Sequence, residues 1–421
     1  MIHIDTLKLE NFRGLQDINL EFPGQTTVIV GVNGVGKTAI LEGLAIMLSA
    51  LASRILGTYQ RASNFSVIDI QLEKPYLALN IAMREDNNTF SWTQVRNRNA
   101  KIKSEKRSGF SQLSEVSAFW GLKLMESVIN NRPLGINLPV AVFYSVNRSV
   151  REIPMRVRRK NGYGPADAFE AALDSAGNFR SFFYWFRLQE DLENEQKRDV
   201  QYYVDPQLEA VRTAISNFMP EYTDLRIRRS PLRMTIKKSE EELDIRLLSD
   251  GEKCLLSMVG DLARRLALVN PLRTNKLEGD GIVLIDEIEL HLHPKWQREI
   301  IPALERTFPN CQFIVSTHSP QVLSHVKAGD VWLLTASGKS IRASRPRVTF
   351  GMDSSHILEE VMDVPEREPS VKADLENLFL MLESGNLADS KSLLASLENI
   401  ADIPELSRAR ALLKRKEILG R

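Results

Sequence analysis

Apolar positions along this chain keep two different rhythms. An alternating one, at Ile2, Ile4, Leu7 and Leu9 and again at Ile18, Leu20 and Phe22, predicts two half-buried strands joined by a turn around Asn11-Phe12-Arg13-Gly14. Other stretches are apolar almost throughout: Thr27-Val28-Ile29-Val30, Val140-Ala141-Val142-Phe143-Tyr144, Ile282-Val283-Leu284-Ile285 and Phe313-Ile314-Val315. Strands of this second kind are buried on both faces. They alternate with helical periodicity, as at Ile40, Leu41, Leu44 and Leu48 and again over residues 295–307. Such alternation predicts an α/β fold on a largely parallel sheet covered on both sides.

Between residues 50 and 224 the pattern is less regular. Ile68, Ile70 and Leu72, then Leu77, Leu79 and Ile81, read as strands, with Phe90-Ser91-Trp92 a third. Residues 96–110 carry Arg96, Arg98, Lys101, Lys103, Lys106 and Arg107 against the single acid Glu105, which predicts a mobile loop. Residues 163–197 read as helical and hold the densest aromatic cluster, Phe179, Phe182, Phe183, Tyr184, Trp185 and Phe186. Packing in a core or subunit interface is the expectation for it, ahead of base stacking. Leu208, Val211, Ile215 and Phe218 mark an amphipathic helix stopped by Pro220, and alternating stretches near Leu225, Met234 and Leu243-Ile245-Leu247 predict short antiparallel strands. After Phe350 the pattern turns helical and charged. The expected division is a head from 1–50 and 222–350, an inserted strand and helical lobe at 51–221, and a helical region at 351–421.

Composition narrows the setting. The 421 residues carry 55 Lys plus Arg against 54 Asp plus Glu, so any surface for nucleic acid must be local. Only Cys254 and Cys311 are present, which excludes a disulfide framework or cysteine zinc site and suits a reducing cytoplasm. The N-terminus lacks a signal layout and no run is expected to span a bilayer, so no membrane partner is predicted.

One stretch carries the strongest chemistry. Gly31-Val32-Asn33-Gly34-Val35-Gly36-Lys37-Thr38 fits G-x-x-x-x-G-K-S/T in full, between an apolar strand and a helix that continues through Ala39. The glycines let backbone N–H groups curl toward a triphosphate, Lys37 supplies charge near the β- and γ-phosphates, and the Thr38 hydroxyl suits Mg²⁺. ATP and Mg²⁺ are the cofactors implied. Downstream, an apolar strand ends in Asp286-Glu287. Asp286 is placed to hold the metal with Thr38, and Glu287 to orient and deprotonate water for in-line attack on the γ-phosphate. His291-Leu292-His293-Pro294 has ligand chemistry with Glu287 and Glu289, yet no further ligand cluster accompanies it. Two basic stretches, Arg148-Arg151-Arg156-Arg158-Arg159-Lys160 and Arg226-Arg228-Arg229-Arg233-Lys237-Lys238, have the charge to follow DNA or RNA. Solvated faces, or salt bridges to the acids at 190–195, account for them nearly as well.

The order of parts separates ATPase classes. Leu248-Ser249-Asp250-Gly251-Glu252, shortly ahead of the Asp-Glu strand, resembles the signature sequence of ABC-type ATPases. The resemblance implies that Ser249, Asp250, Gly251 and Glu252 complete a site held by another subunit's phosphate loop, and hence a homodimer or larger homo-oligomer. It likewise makes His318 the switch histidine beside the γ-phosphate, a catalytic candidate with Glu287 and Lys37. An Asn-Phe-Arg-Gly turn ahead of a phosphate loop is similar to that of the RecF, Rad50 and SMC group, in which the turn lies near the nucleotide. The resemblance makes Arg13 a candidate phosphate contact, and a solvated loop arginine is the equal alternative. In RecF-like and OLD-like ATPases a Leu-His-Pro element crosses toward the partner subunit, so this role is preferred to metal for His291 and His293. Asn147 is the one candidate for the glutamine that links nucleotide to inserted lobe.

Phe143-Tyr144-Ser145-Val146-Asn147-Arg148, Phe182-Phe183, Arg228-Arg229-Ser230-Pro231-Leu232 and His291-Leu292-His293-Pro294-Lys295-Trp296-Gln297 complete the picture. Together with the signature they resemble a bacterial family of stand-alone ABC-type ATPases that includes the ATPase subunit of the Septu anti-phage system, found also with some retrons. That resemblance spans nearly the whole chain. It implies an ABC-type P-loop head with a mixed sheet, an inserted helical lobe and a C-terminal helical tail, acting with a separate HNH-type nuclease. No Toprim-like or His-Asn-His pattern and no Cys-x-x-Cys hook occurs in the sequence, so cutting is expected of another chain. Two readings from other classes stay open, a RecF-like DNA-binding repair ATPase and a scaffold that holds ATP without turnover.

Overall fold

In a computed structural model of the chain, every residue is described except 58–61, 100–105, 131, 149–162, 175–179, 339, 366–367, 400–402 and 420–421. The chain divides into two units, Met1–Asp353 and Ser354–Arg421.

In the first unit the alternating N-terminal segments form an antiparallel sheet in the order β2 (Leu15–Glu21), β1 (Ile2–Phe12), β4 (Tyr76–Glu85), β5 (Asn88–Asn97). The wholly apolar segments form a second, mixed sheet. Its order is β13 (Ser340–Ser344), β12 (Val331–Ser337), β3 (Thr26–Gly31), β11 (Cys311–Thr317), β10 (Gly281–Ile285), β6 (Val140–Tyr144). Every residue of β3, β6, β10 and β11 is buried. From β12 to β6 all pairings are parallel, so the carboxyl ends of β3, β11, β10 and β6 open on one edge, where ligands bind in such sheets. The buried Gln312 amide ties the two sheets together, accepting from Ile4 N at 2.7 Å and donating to Ile4 O at 3.0 Å. A third, antiparallel sheet comprises β7 (Tyr222–Arg229), β8 (Leu232–Lys238) and β9 (Glu241–Asp244). Residues 51–221 are woven into this unit, since they supply β4 and β5 to one sheet and β6 to another.

The main helices of this unit are α1 (Lys37–Leu56), α2 (Ser111–Ile129), α3 (Arg180–Asp199), α4 (Pro206–Phe218), α5 (Asp250–Val269) and α6 (Pro294–Thr307). One expectation needs correction here. With 20 residues and a mean hydropathy of 1.8, α1 is long and apolar enough to cross a membrane, but 78% of that stretch is buried within the fold. Its all-round apolar surface belongs to a core helix. The aromatic cluster of α3 is core as well. Phe182, Phe183, Trp185 and Phe186 are buried, and a Cβ on Gly260 of α5 would lie 2.5 Å from Phe182 Cζ. Phe179 lies outside the described residues.

Other expectations also shift. Ile68, Ile70 and Leu72 form no strand: Asp69 accepts from Ser66 N at 2.8 Å and turns the chain, leaving Ile68 92% and Leu72 82% exposed while Ile70 alone is buried. The basic stretch is ordered at both described ends, with β5 running through Asn97 and Gly109 bonded back to Thr93, while Lys101, Lys103 and Glu105 lie outside the described residues. The last predicted strand stops at Asp244, whose carboxylate accepts from Arg246 N at 2.9 Å and starts a 3-10 turn, exposing Leu247. In the second unit, helices Pro369–Ser384, Leu387–Glu398 and Pro404–Leu419 share a core of Leu375, Leu378, Leu382, Leu394, Leu397, Leu406 and Leu413.

Candidate active site

Strand β3 delivers the chain to the phosphate loop. Gly36, the residue before α1, has φ 92°, a left-handed conformation open to glycine, and no side chain caps the helix. The first-turn N–H groups are thereby left for an anion. Val32, Asn33, Gly34 and Thr38 are exposed, while Val35 and Ala39 are buried and anchor the loop. Lys37 is buried, and its Nζ donates to Gly31 O at 2.9 Å and Val32 O at 3.1 Å. An ammonium has three protons, so one remains for a phosphate oxygen. Burial pulls Lys37 below its ordinary value, and Asp286, Glu287 and Glu289 work against that pull. The loop and the carboxylate pair therefore share one site.

Asp286, at the end of β10, is fully buried. Its N–H donates to Tyr144 O at 2.9 Å and its Oδ1 accepts from Ser316 Oγ, but Oδ2 has no hydrogen-bond partner. An orphaned, buried carboxylate oxygen fits a hard cation, and the exposed Thr38 hydroxyl completes a set suited to Mg²⁺, which takes few protein ligands. When bound, the ion supplies charge neutralisation at the β- and γ-phosphate oxygens. Among the described residues no group of three or more His, Cys, Asp or Glu could hold a metal, and His293 Nδ1 accepts from Lys295 N at 3.3 Å as the N-cap of α6.

Glu287 is half-buried, with its N–H donating to Ser316 Oγ at 2.8 Å. Two residues on, Glu289 accepts from Thr317 Oγ1 at 2.7 Å and from His318 N at 2.5 Å, which ties this turn to the end of β11. His318 is half-buried too. Burial and then the nearby Lys37 hold it below 6.5 despite Glu289, Glu287 and Asp286, so its ring is neutral at pH 7. A neutral imidazole can donate to a γ-phosphate oxygen without repelling Lys37.

Three members of this neighbourhood have roles that the sequence does not point to: Ser316, Glu289, which stands there only as a ligand-type acid, and Arg148. Arg148 opens a basic stretch with the charge to follow nucleic acid, but it is 2% exposed and cannot reach a backbone outside. Its guanidinium instead donates to the carbonyls of Ser145, Asp286 and Glu287. Its position just after a wholly buried strand was the one available signal. Asn147, beside it, is exposed, and its N–H donates to Ser145 Oγ at 3.3 Å.

The signature segment starts α5. Ser249 is the N-cap, accepting from Glu252 N at 3.3 Å while Ser249 N donates to Glu252 Oε2 at 2.8 Å. Ser249 and Asp250 are exposed, and Lys253 at 2.8 Å holds Asp250 below the usual carboxylate range. Glu252 is turned inward. Burial pushes it up, but hydrogen bonds from Tyr222, Lys238 and Ser249 outweigh this and hold it at about 2. Buried Gly251 lies so close to the Leu-His-Pro element that a Cβ would sit 2.3 Å from His291 O.

The remaining described candidates engage acids or are partly buried. Arg13 Nε donates to Asp69 Oδ1 at 3.0 Å and its Nη1 pairs with Glu42, so two carboxylates already engage the guanidinium. Arg229 pairs with Asp191 at 2.5 Å and Glu190 at 3.4 Å, acids of the stretch 190–195, whereas Arg228 pairs with Glu242 outside that stretch. Arg233 is half-buried. Arg158 and Arg159, with Arg151, Arg156 and Lys160, lie outside the described residues.

A family model described as "AAA ATPase domain" matches residues 2–119, and one described as "AAA domain, putative AbiEii toxin, Type IV TA system" matches residues 141–324. The chain is 32% identical over 391 residues to the "Retron Vc95 probable ATPase" of Vibrio cholerae serotype O1 biovar El Tor, covering 81% of this chain and 75% of that protein. It is 28% identical over 433 residues to the "Retron Ec83 probable ATPase" of Escherichia coli, covering 88% and 78% respectively. The "Septu protein PtuA" of Bacillus thuringiensis is 24% identical over 391 residues, 87% of this chain and 85% of that protein. With its phosphate loop and strand-end carboxylates set along one sheet edge, the chain belongs to the family of AAA/ABC-type ATPases that includes these retron and Septu proteins.

Proposed function

We propose that this cytoplasmic ATPase works at a composite site, in which a second copy of the chain closes the phosphate loop with its Ser249 end, and that hydrolysis regulates a separate HNH-type nuclease in anti-phage defence. Asp286 and Thr38 would hold Mg²⁺, which would neutralise phosphate charge there. Glu287 takes a proton from water, the oxygen attacks the γ-phosphorus, and the bond to the β,γ-bridging oxygen breaks with its electron pair leaving on ADP. Lys37 and neutral His318 meet the charge that gathers on the γ-phosphoryl oxygens. One observation carries the composite site: Ser249 and Asp250 are exposed at the start of a long helix, while Gly251 and Glu252 beside them are packed into their own subunit. What supports the defence role is the relatives named for retrons and Septu, with the lack of a nuclease pattern in this chain.

A mixing experiment tests the site. Lys37→Ala and Ser249→Arg are each expected to be inactive alone, whereas an equal mixture forms dimers with one intact site and recovers about a quarter of wild-type activity. No recovery on mixing sinks the composite arrangement. For regulation, reconstitution with an HNH-type nuclease is expected to give DNA cleavage that changes with Glu287→Gln; cleavage indifferent to that substitution counts against it.

A further inference from the structure

Glu287 holds φ 46°, a left-handed conformation that a side chain disfavours, so its turn must be held from outside. Strand ends take the N–H groups: Asp286 N donates to Tyr144 O at 2.9 Å, Glu287 N to Ser316 Oγ at 2.8 Å and Ile288 N to Ser316 O at 3.0 Å. A single side chain takes the first two carbonyls. Arg148 Nη1 donates to Asp286 O and, at 3.2 Å, to Ser145 O, while Nη2 donates to Glu287 O at 2.5 Å. The planar fork suits two adjacent acceptors in a way that an ammonium does not. The same guanidinium lies against the Cys254 thiol of α5, which burial pushes up and Arg148 draws back. Arg148 thus touches both the catalytic turn and the helix that begins beyond Ser249.

We propose that Arg148 is a positioning residue for ATP hydrolysis, fixing the Asp286-Glu287 turn so that the Glu287 carboxylate meets the attacking water. The proposal rests on Glu287 acting as the base.

The test compares steady-state ATP hydrolysis by wild type, Arg148→Lys and Arg148→Ala. Lysine keeps the charge but cannot fork onto both carbonyls. In both variants kcat is expected to fall at least about tenfold with KM for ATP within about twofold, because the phosphate loop is untouched. Millimolar guanidinium chloride restores part of the lost kcat in Arg148→Ala, and methylammonium does not. Wild-type kcat in either variant overturns the proposal, as does a loss that guanidinium and methylammonium relieve equally. If the alanine variant precipitates, the lysine variant carries the reading alone. A double variant separates this from the base assignment. Wild-type turnover in Glu287→Gln defeats the base itself. On the residual rate of Glu287→Gln, adding Arg148→Lys changes little if Arg148 acts through Glu287, and a further loss of about tenfold shows that it acts elsewhere.

Discussion

His318 sits half-buried close to Lys37, and both conditions disfavour its charged form. Because its folded value lies below 6.5, the neutral ring persists as pH falls through that point. The unfolded chain takes the proton first, so the stability tied to this histidine is present above about pH 6.5 and is lost below it. Turnover by wild type is therefore expected to stay level from about pH 8 to 6.5 and to fall only further down, with the histidine limb absent in His318→Gln. A His318-dependent limb centred above pH 6.5 in the kcat profile contradicts this. Lys37, Asp286, Glu287 and His318 are legible in the sequence because each sits at a recognisable place, in a glycine loop or at the end of an apolar strand. Arg148, Ser316 and Glu289 are not, since their roles are contacts between strand ends, and Arg148 lies 138 residues from the carbonyl of Asp286.

Helix α5 shows how packing can reverse a local preference. Within a helix, alanine is ordinarily better than glycine by about 1 kcal/mol. At Gly251 a Cβ would stand 2.3 Å from His291 O, a backbone atom that cannot swing aside. Gly251→Ala is thus expected to destabilise the protein by about 1–3 kcal/mol in urea titration. A gain in stability instead would mean that the helix and the Leu-His-Pro element are not in contact. The same tension between local pattern and packing explains where the predicted elements fail. Alternation at Ile68, Ile70 and Leu72 reads as a strand, but the Asp69 carboxylate bonds Ser66 N and makes a turn that no apolar count registers. The apolar length of α1 matches a bilayer span, yet 78% of it is buried within the fold, which supplies its apolar environment.

Across the whole molecule, Met1–Asp353 holds the sheets and the candidate site, while Ser354–Arg421 has its own leucine core. A chain ending at Asp353 is expected to fold and to bind ATP within about threefold of the full chain, because the cradle needs no residue beyond that point. Loss of nucleotide binding in that truncation, followed by equilibrium titration, would contradict the independence of the two units. At this scale the doubly buried strands β3, β6, β10 and β11, the phosphate loop and the Asp286-Glu287 pair were determined by the sequence alone, because a doubly buried strand and a glycine turn are recognisable from their immediate neighbours. Tertiary structure alone decided that Arg148 faces three backbone carbonyls rather than nucleic acid, that Arg228 finds Glu242, and that Gly251 abuts His291. Those outcomes depend on distances between segments remote in the chain, and short-range composition carries no measure of such distances.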